Sequence, residues 1–515
     1  MNDDTDSKST LLGTIAGGAV WTFGGRISKL VLLFLVEVFM ARFLGLSSYG
    51  GITLAVVAID VSSVFGGLGL RGGVNRKLPY YEDDPEKARG VLWTAIGGAL
   101  ISSTLIGSGL FLGADIIATR FLNEPEVATL LRIAAVGIPF SVFVGLGITF
   151  AKVFTDAKVH ITVRQLFLPI SRAILVPVLI LLTGISGAVI GITTTFIIGA
   201  ILAMYLGLKQ IPFKLTGPRA PMTKELLTFS FPLMLASGTK MILGKTDIIL
   251  VGAFLATSQV GVYNVAQNIM NIGWLFFYPI SFLLTPVLTR LERDGRLTEA
   301  NRVYQVTVKW MTFLTFPVFL LIFLFPEVVI GVTFGSDAVS GATAVQFLAA
   351  LVMFDTLMGA NGNALLSFGH NKIQFYGNAM TAILNIILNL VFIPRYGIAG
   401  AALASAISLG LRNIIYSARL YQCHDVQPFS RALIRSIGAT IPMVVVGYVL
   451  FRQLFPTTFF TVTGVGILFL LVYVVIIIKT DGVEQEDIDV VNRLEDNVGA
   501  DIEIVRTIFK RIQTI

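Results

Sequence analysis

Arg42–Gly50 reads RFLGLSSYG, and Ala253–Gly261 reads AFLATSQVG, 253 − 42 = 211 residues later. Phe43 falls on Phe254, Leu44 on Leu255, Ser47 on Ser258 and Gly50 on Gly261. Ala55/Ala266, Phe65/Phe276 and Lys29/Lys240 keep the same offset. A second echo sets Gly184-Ile185-Ser186-Gly187-Ala188 against Gly397-Ile398-Ala399-Gly400-Ala401, now 397 − 184 = 213 apart. Each match is weak alone; agreement in spacing at both ends of the unit carries the weight.

What repeats is a set of membrane spans. Of 515 residues, 55% are apolar and only 13% charged, and the mean hydropathy is +0.82. A soluble domain carries about 25% charged residues. A spanning helix takes about 20 apolar residues, so fourteen would use roughly 280, just over half the chain. This excludes a soluble enzyme, a nucleic-acid binder, a disordered scaffold and a single-pass receptor with a large ectodomain. Apolar runs bounded by charge, Gly and Pro predict spans near 18–44, 48–70, 90–113, 128–151, 160–182 and 186–208. Six more fall near 226–255, 259–288, 304–325, 342–368, 373–393 and 398–420, and two near 432–451 and 458–478.

Six helices per copy is an even number, so the copies share one orientation and form a parallel repeat about an axis along the membrane normal. The expected fold is an all-α polytopic membrane protein of about fourteen transmembrane helices, six plus six plus two. Its divisions are an N-terminus (1–17), an N-lobe (18–209), a basic linker (210–225), a C-lobe (226–422), a final helix pair (430–479) and an amphipathic tail (480–515).

Alternate connections differ in charge. One set, from Arg71, Arg76, Lys77, Lys87 and Arg89 through to Arg419, Arg431 and Arg435, holds nineteen cations. The other holds Arg120, Arg395 and Arg452, or five with Arg42 and Arg132. Cytoplasmic loops retain Lys and Arg, which places the first set and both termini in the cytoplasm. It also accounts for a pI near 9.4 without nucleic acid. The outer connections, the longest near 114–127 and 326–341, leave no room for a folded external domain. The acidic start, Met1–Thr10, is not a cleavable signal peptide, and one cysteine, Cys423, excludes a disulfide framework.

MARFLGLSSYGGITLAVV (Met40–Val57), GGLGLRGGVNR (Gly66–Arg76) and KTDIILVGAFLATSQVGVYNVAQ (Lys245–Gln267) carry a family resemblance. So do MGANGNALLSFGHNK (Met358–Lys372) and NIILNLVFIPRYGIAGAALASAIS (Asn385–Ser408). In order and spacing they resemble the polysaccharide-flippase branch of the multidrug/oligosaccharidyl-lipid/polysaccharide exporter superfamily, over nearly the whole chain to about residue 480. The resemblance implies two six-helix lobes around a central cavity, alternating access, and a sugar or oligosaccharide on a polyprenyl phosphate or diphosphate carrier moved outward. The rival readings are a cation-coupled multidrug exporter of the same superfamily and, from a different class, a non-transporting scaffold for glycan assembly.

Charge at mid-bilayer costs about 2.5–3.5 kcal/mol on insertion scales and usually faces a bundle interior or a wet cavity. Arg26, Lys29 and Glu37 lie on the first span, Arg172 between Pro169 and Pro177, and Lys240, Lys245 and Asp247 on the seventh. Arg forks and Lys ammonium groups suit phosphate oxygens, so Arg26, Lys29, Arg172, Lys240 and Lys245 are the candidate cavity cations. Asn264, Gln267, Asn268 and Asn271, at i, i+3, i+4 and i+7, share one helix face and join them as candidate lining. Glu37, Asp60, Asp247 and Asp355 are ion-pair or coupling candidates. Asn378, Asn385 and Asn389 read better as interhelical hydrogen-bonding groups.

No catalytic constellation, metal site, cofactor motif or phosphate-cradling loop is present in the sequence, so the expectation is a transporter and not an enzyme. The partners expected are a lipid-linked glycan and membrane lipids, with glycan-assembly enzymes as candidates for the tail; one two-lobed chain needs no second copy. Glu484–Ile512 is acidic early and basic late, with apolar residues near helical spacing.

Overall fold

The computed structural model describes residues 27–154, 157–480 and 482. Among them every regular element is a helix. The first, α1, covers 27–44. It is followed by α2 (Leu46–Gly66), α3 (Leu70–Tyr80), α4 (Pro85–Ile116), α5 (Val127–Val153) and the short α6 (Ala157–His160). Then come α7 (Leu168–Thr183), α8 (Ile185–Lys209), α9 (Thr223–Phe254), α10 (Thr257–Arg293), α11 (Leu297–Leu324) and α12 (Pro326–Thr333). The series closes with α13 (Ala342–Met358), α14 (Asn361–Ser367), α15 (Asn371–His424), α16 (Arg431–Leu454) and α17 (Phe459–Lys479).

Local chemistry sets the helix ends. Asp84 caps α4, accepting from Lys87 N at 3.2 Å with Pro85 in the first turn. The neighbouring Lys87 holds the Asp84 carboxyl below the usual carboxylate range. Ser430 caps α16, and Thr458 with Thr461 forms a capping box for α17. These side chains take up backbone N–H groups that a helix start leaves unpaired.

Ten helices are long and apolar enough to cross a membrane among the described residues, and α9, broken by 54° between Ile242 and Gly244, supplies an eleventh. One of the ten is α15, whose 54 residues would run about 80 Å unbroken, more than twice the roughly 30 Å hydrocarbon core. It bends at Gly397 (φ 59°, ψ −140°). Large apolar side chains cover the outside: Leu105, Leu112 and Leu182 are 67%, 79% and 73% exposed. So much exposed apolar surface suits lipid as solvent. This is a multi-pass membrane protein.

The chain forms two compact units, one within Gly24–Asn264 and one within Val265–Ile515. The boundary lies inside α10, well past the linker expected at 210–225. The reason lies in α9, which packs on the first unit. A Cβ at Gly69 would collide with Ser230 O, and Lys77 and Tyr81 both hydrogen-bond Glu225. The 210–222 connection is fixed to α4, where Arg89 Nε and Trp93 Nε1 donate to the carbonyls of Pro218 (2.8 Å) and Leu215 (3.1 Å).

Within the first unit, α5 and α8 pack backbone to backbone through Gly147, Ala203 and Gly207, the small-residue packing that lipid-embedded helices use. Its apolar core includes Leu70, Leu92, Val142, Leu146 and Phe150. The second unit is built around Leu288, Tyr304, Phe313, Phe316, Tyr416 and Tyr473.

The two echoing motifs meet inside the first unit. A Cβ at Gly50 would collide with Thr257 O, and a Cβ at Gly261 would collide with Leu46 O. The contact is reciprocal under one offset, since 257 − 46 = 261 − 50 = 211. Ser47 Oγ and Thr257 Oγ1 add a 3.1 Å hydrogen bond. The second echo matches in backbone conformation. Gly184 has φ 65°, ψ −140° and Gly397 has φ 59°, ψ −140°. A Cβ at Gly187 would strike Leu179 O and one at Gly400 would strike Phe392 O, each glycine eight residues after the carbonyl it meets, since 187 − 179 = 400 − 392 = 8.

Candidate functional site

A cavity of about 660 Å³ opens inside the first unit. Its described lining carries four cations, Lys29, Arg71, Arg164 and Arg172, and one carboxylate, Asp60. Each reaches it for a local reason. The sequence Gly66-Gly67-Leu68-Gly69 interrupts the α2–α3 run, with Leu68 and Gly69 at φ 46° and 67°. This turn brings Arg71 to the cavity on α3. Gly145 on α5 makes the room: a Cβ there would lie 2.8 Å from Arg71 Cδ and Nη1.

Arg164 and Arg172 come from one helical run. In an unbroken α-helix, eight residues would turn them about 80° apart. Here Ile161–Phe167 is a π-helical stretch, which underwinds the chain and reduces that angle. Both side chains therefore face the same space.

Compensation is uneven. Lys245 Nζ lies 3.3 Å from Asp60 Oδ2, so the one lining carboxylate is engaged by a lysine outside the lining. Among the described residues, Arg71, Arg164 and Arg172 form no ion pair within 4.0 Å. Arg164 is close enough to Arg71 for mutual repulsion. Arg172 Nε is buried and has no hydrogen-bond partner among the described residues. A buried donor left unpaired costs about 1–3 kcal/mol, more when charged. The described lining therefore carries an excess of positive charge.

The other candidates read from the sequence take different places. Lys29 and Arg172 line the cavity, as does Asp60; Arg26 lies outside the described residues. Lys240 stands exposed on α9 and is absent from the lining, to which α9 contributes Leu233, Met234, Ser237 and Met241. Lys245 is the Asp60 partner. Asn264 is drawn into a hydrogen-bonded chain: its Nδ2 donates to Tyr49 Oη (2.7 Å) and Thr53 Oγ1 (3.1 Å), and Tyr49 donates to Glu37 Oε2 (2.7 Å). Gln267, Asn268 and Asn271 belong to the second unit, whereas the cavity is lined wholly by the first.

The remaining carboxylates accept hydrogen bonds. Asp247 receives Tyr263 Oη at 2.8 Å, and Asp355 receives Asn413 Nδ2. Asn385 donates to Ser405 Oγ (3.1 Å) and Ser408 Oγ (3.4 Å), and Asn389 Nδ2 returns to Asn385 Oδ1 at 3.1 Å.

Arg71 and Arg164 stand outside the set read from the sequence. Counted by position, Arg71 belongs to a basic loop; in the structure it sits on α3 of a 35-residue apolar run, Leu46–Tyr80. That excess length over one span was the available signal. For Arg164 the signal was its place eight residues before Arg172 inside the same span.

A profile described as polysaccharide biosynthesis protein matches residues 39–339, more than half of the chain. The chain belongs to this family. Within the exporter superfamily it falls in the polysaccharide-flippase branch. A relative from Haloferax volcanii, named a probable low-salt glycan biosynthesis flippase, is 21% identical over 412 residues, covering 78% of this chain and 83% of its own. A second from the same organism, named a probable flippase, is 21% identical over 78% of this chain and 83% of its own. In fold, the chain is similar to a lipid II flippase in an inward closed conformation (TM-score 0.71, 18% identity, 90% of this chain and 98% of that one). It also resembles an inward-facing multidrug transporter of the superfamily (TM-score 0.59, 15% identity, 77% and 96%).

Proposed function

We propose that the protein is a flippase that carries a sugar or oligosaccharide on a polyprenyl phosphate or diphosphate from the cytoplasmic to the external leaflet. The observation that carries this reading is the cavity whose Arg71, Arg164 and Arg172 form no ion pair among the described residues, where the buried Arg172 Nε also lacks a hydrogen-bond partner. Guanidinium forks match phosphate oxygens in shape and charge. A cationic drug would meet repulsion there, which argues against multidrug export. The names of the relatives point the same way.

The transport reading is alternating access by two six-helix repeats followed by two further helices, fourteen passes in all, with both termini cytoplasmic. Two features support it. The reciprocal Leu46–Gly261 and Gly50–Thr257 contacts close one end of α2, while Asp60, ten residues or about 15 Å further along, lines the cavity. The matching corners at Gly184 and Gly397 support the repeat. No chemical step is required of the protein; it acts as a single chain. Moving a net negative charge outward from a negative interior gains about 2.3 kcal/mol per charge per 100 mV.

The test is to delete the gene, quantify lipid-linked sugars held on the cytoplasmic leaflet, and complement. Accumulation relieved by wild type and by Lys240→Ala, but not by Arg71→Ala or Arg172→Ala at equal protein levels, is the expected result. Drug sensitivity without accumulation would transfer the protein to drug export. Full rescue by both arginine variants would remove the cavity from the mechanism.

A further inference from the structure

A second hollow, of about 320 Å³, lies within the second unit, where the start of α11 meets the connection into α16. Arg302, Gln305 and Lys309 line it from α11, at i, i+3 and i+7 on one helix face. Gln427, Ser430 and Arg431 close it from the α15–α16 connection. Gln427 N donates to Asn301 Oδ1 at 3.0 Å, which fixes the two walls together. The described lining holds three cations and no carboxylate, and Lys309 is 0% exposed. None of these residues takes part in the cavity of the first unit.

The path of the chain supplies the second observation. After α17, Thr480 Oγ1 and Ser436 Oγ are 2.7 Å apart, and Gly482 N donates to Ile477 O at 2.8 Å. A Cβ on Gly482 would lie 3.1 Å from Ser436 Oγ. The chain thus leaves this point against α16, five residues, or about 7.5 Å along the helix, from Arg431. Two extended residues span about 7 Å. The sequence that follows is Val483-Glu484-Gln485-Glu486-Asp487-Ile488-Asp489, with carboxylates at 484, 486, 487 and 489.

We propose that the basic hollow is the dock for the acidic stretch Glu484–Asp489 of the same chain. Charge is complementary, and the tether begins within reach of Arg431. A covalently attached ligand also has an effective concentration near the millimolar range over a short linker, which favours it over free anions. Docking fastens the end of α17 to α11 and to the α15–α16 connection. It is weakened by salt, since pairs near the surface are screened. The inference does not rest on the transport reading.

The test uses the full chain in membranes, with the exposed Cys423 replaced by Ser. Gln305→Cys is combined with Gln485→Cys, or with Thr507→Cys as the comparator, and mild oxidation is followed by labelling with a maleimide–polyethylene glycol. The expected result is reversible loss of both labels in the 305–485 pair and retention in the 305–507 pair. Neutralising the segment (Glu484→Gln, Glu486→Gln, Asp487→Asn, Asp489→Asn) restores labelling, as does Arg431→Glu in protein that remains monodisperse. Equal oxidation of both pairs, or undiminished oxidation after neutralisation, overturns the proposal. So does protection of Gln305→Cys by anionic-lipid vesicles while Gln485→Cys stays reactive, which would assign the hollow to lipid headgroups.

Discussion

The two units carry the same helix corner and opposite polar interiors. At Gly184 and Gly397 the backbone adopts the same positive-φ geometry, and the glycine three residues on meets the carbonyl eight residues before it. Yet the first unit gathers Arg71, Arg164 and Arg172 around open space. In the second, Asn385, Asn389, Ser405 and Ser408 bond to one another, as do Asp355, Asn361, Asn413 and Ser417. Asn361 Nδ2, for instance, reaches both Asn413 O (3.1 Å) and Ser417 Oγ (3.2 Å). Polar content inside a membrane helix therefore has two ends. Where groups bond to one another, as at Asn385 and Asn389, it is structure, and where cations gather around open space, as in the first unit, it makes a candidate site.

The largest effect expected from this contrast is on the arginines. Arg172→Ala should reduce transport of a lipid-linked glycan by about 10- to 100-fold, the equivalent of one charged hydrogen bond worth 1.5–3 kcal/mol, without lowering Tm. A fall in Tm matching the loss of transport would make Arg172 a structural residue and break the comparison. Next come the corners. With open space around both glycines, Gly184→Ala and Gly397→Ala should each cost about 1–3 kcal/mol from the positive-φ backbone alone. Equal Tm losses sharpen the match; a loss at one corner only would limit it to geometry.

Smaller again is Asn385→Ala. Interhelical hydrogen bonds in membranes average about 0.6 kcal/mol and reach about 1.7, so the expected outcome is a modest Tm loss with normal transport per folded molecule. A transport defect at unchanged Tm would show that the second unit also holds a working polar site. The smallest effect belongs to Lys240→Ala, exposed on α9, which should leave transport and Tm unchanged. An arginine-sized defect there would require a cavity wall that the structure leaves outside.

Much of the site was legible because charge inside an apolar run is conspicuous. Lys29, Asp60 and Arg172 are found that way. Lys240 looks equivalent to Lys29 by the 211-residue offset, yet the two side chains differ in setting: one lines the cavity and the other is exposed. Offset conveys position along a helix, not which face a bent helix turns inward. Asn264 misled in the other direction. Its stripe suggested a wet wall, and only the approach of Tyr49 and Thr53 from α2 converts it into a hydrogen-bonded strut.

By itself, the sequence determined the multi-pass helical membrane class, the two echoes and the presence of cations at membrane depth. Each of these is a local property: hydropathy over a span, similarity at a fixed offset, charge within a run. The tertiary structure decided which charges are neutralised. It paired Asp60 with Lys245 across 185 residues (245 − 60), set Arg71 against Gly145 at the cavity and left Arg172 Nε without a partner among the described residues. Pairing depends on distances between groups far apart in the chain, and no window along the sequence contains them.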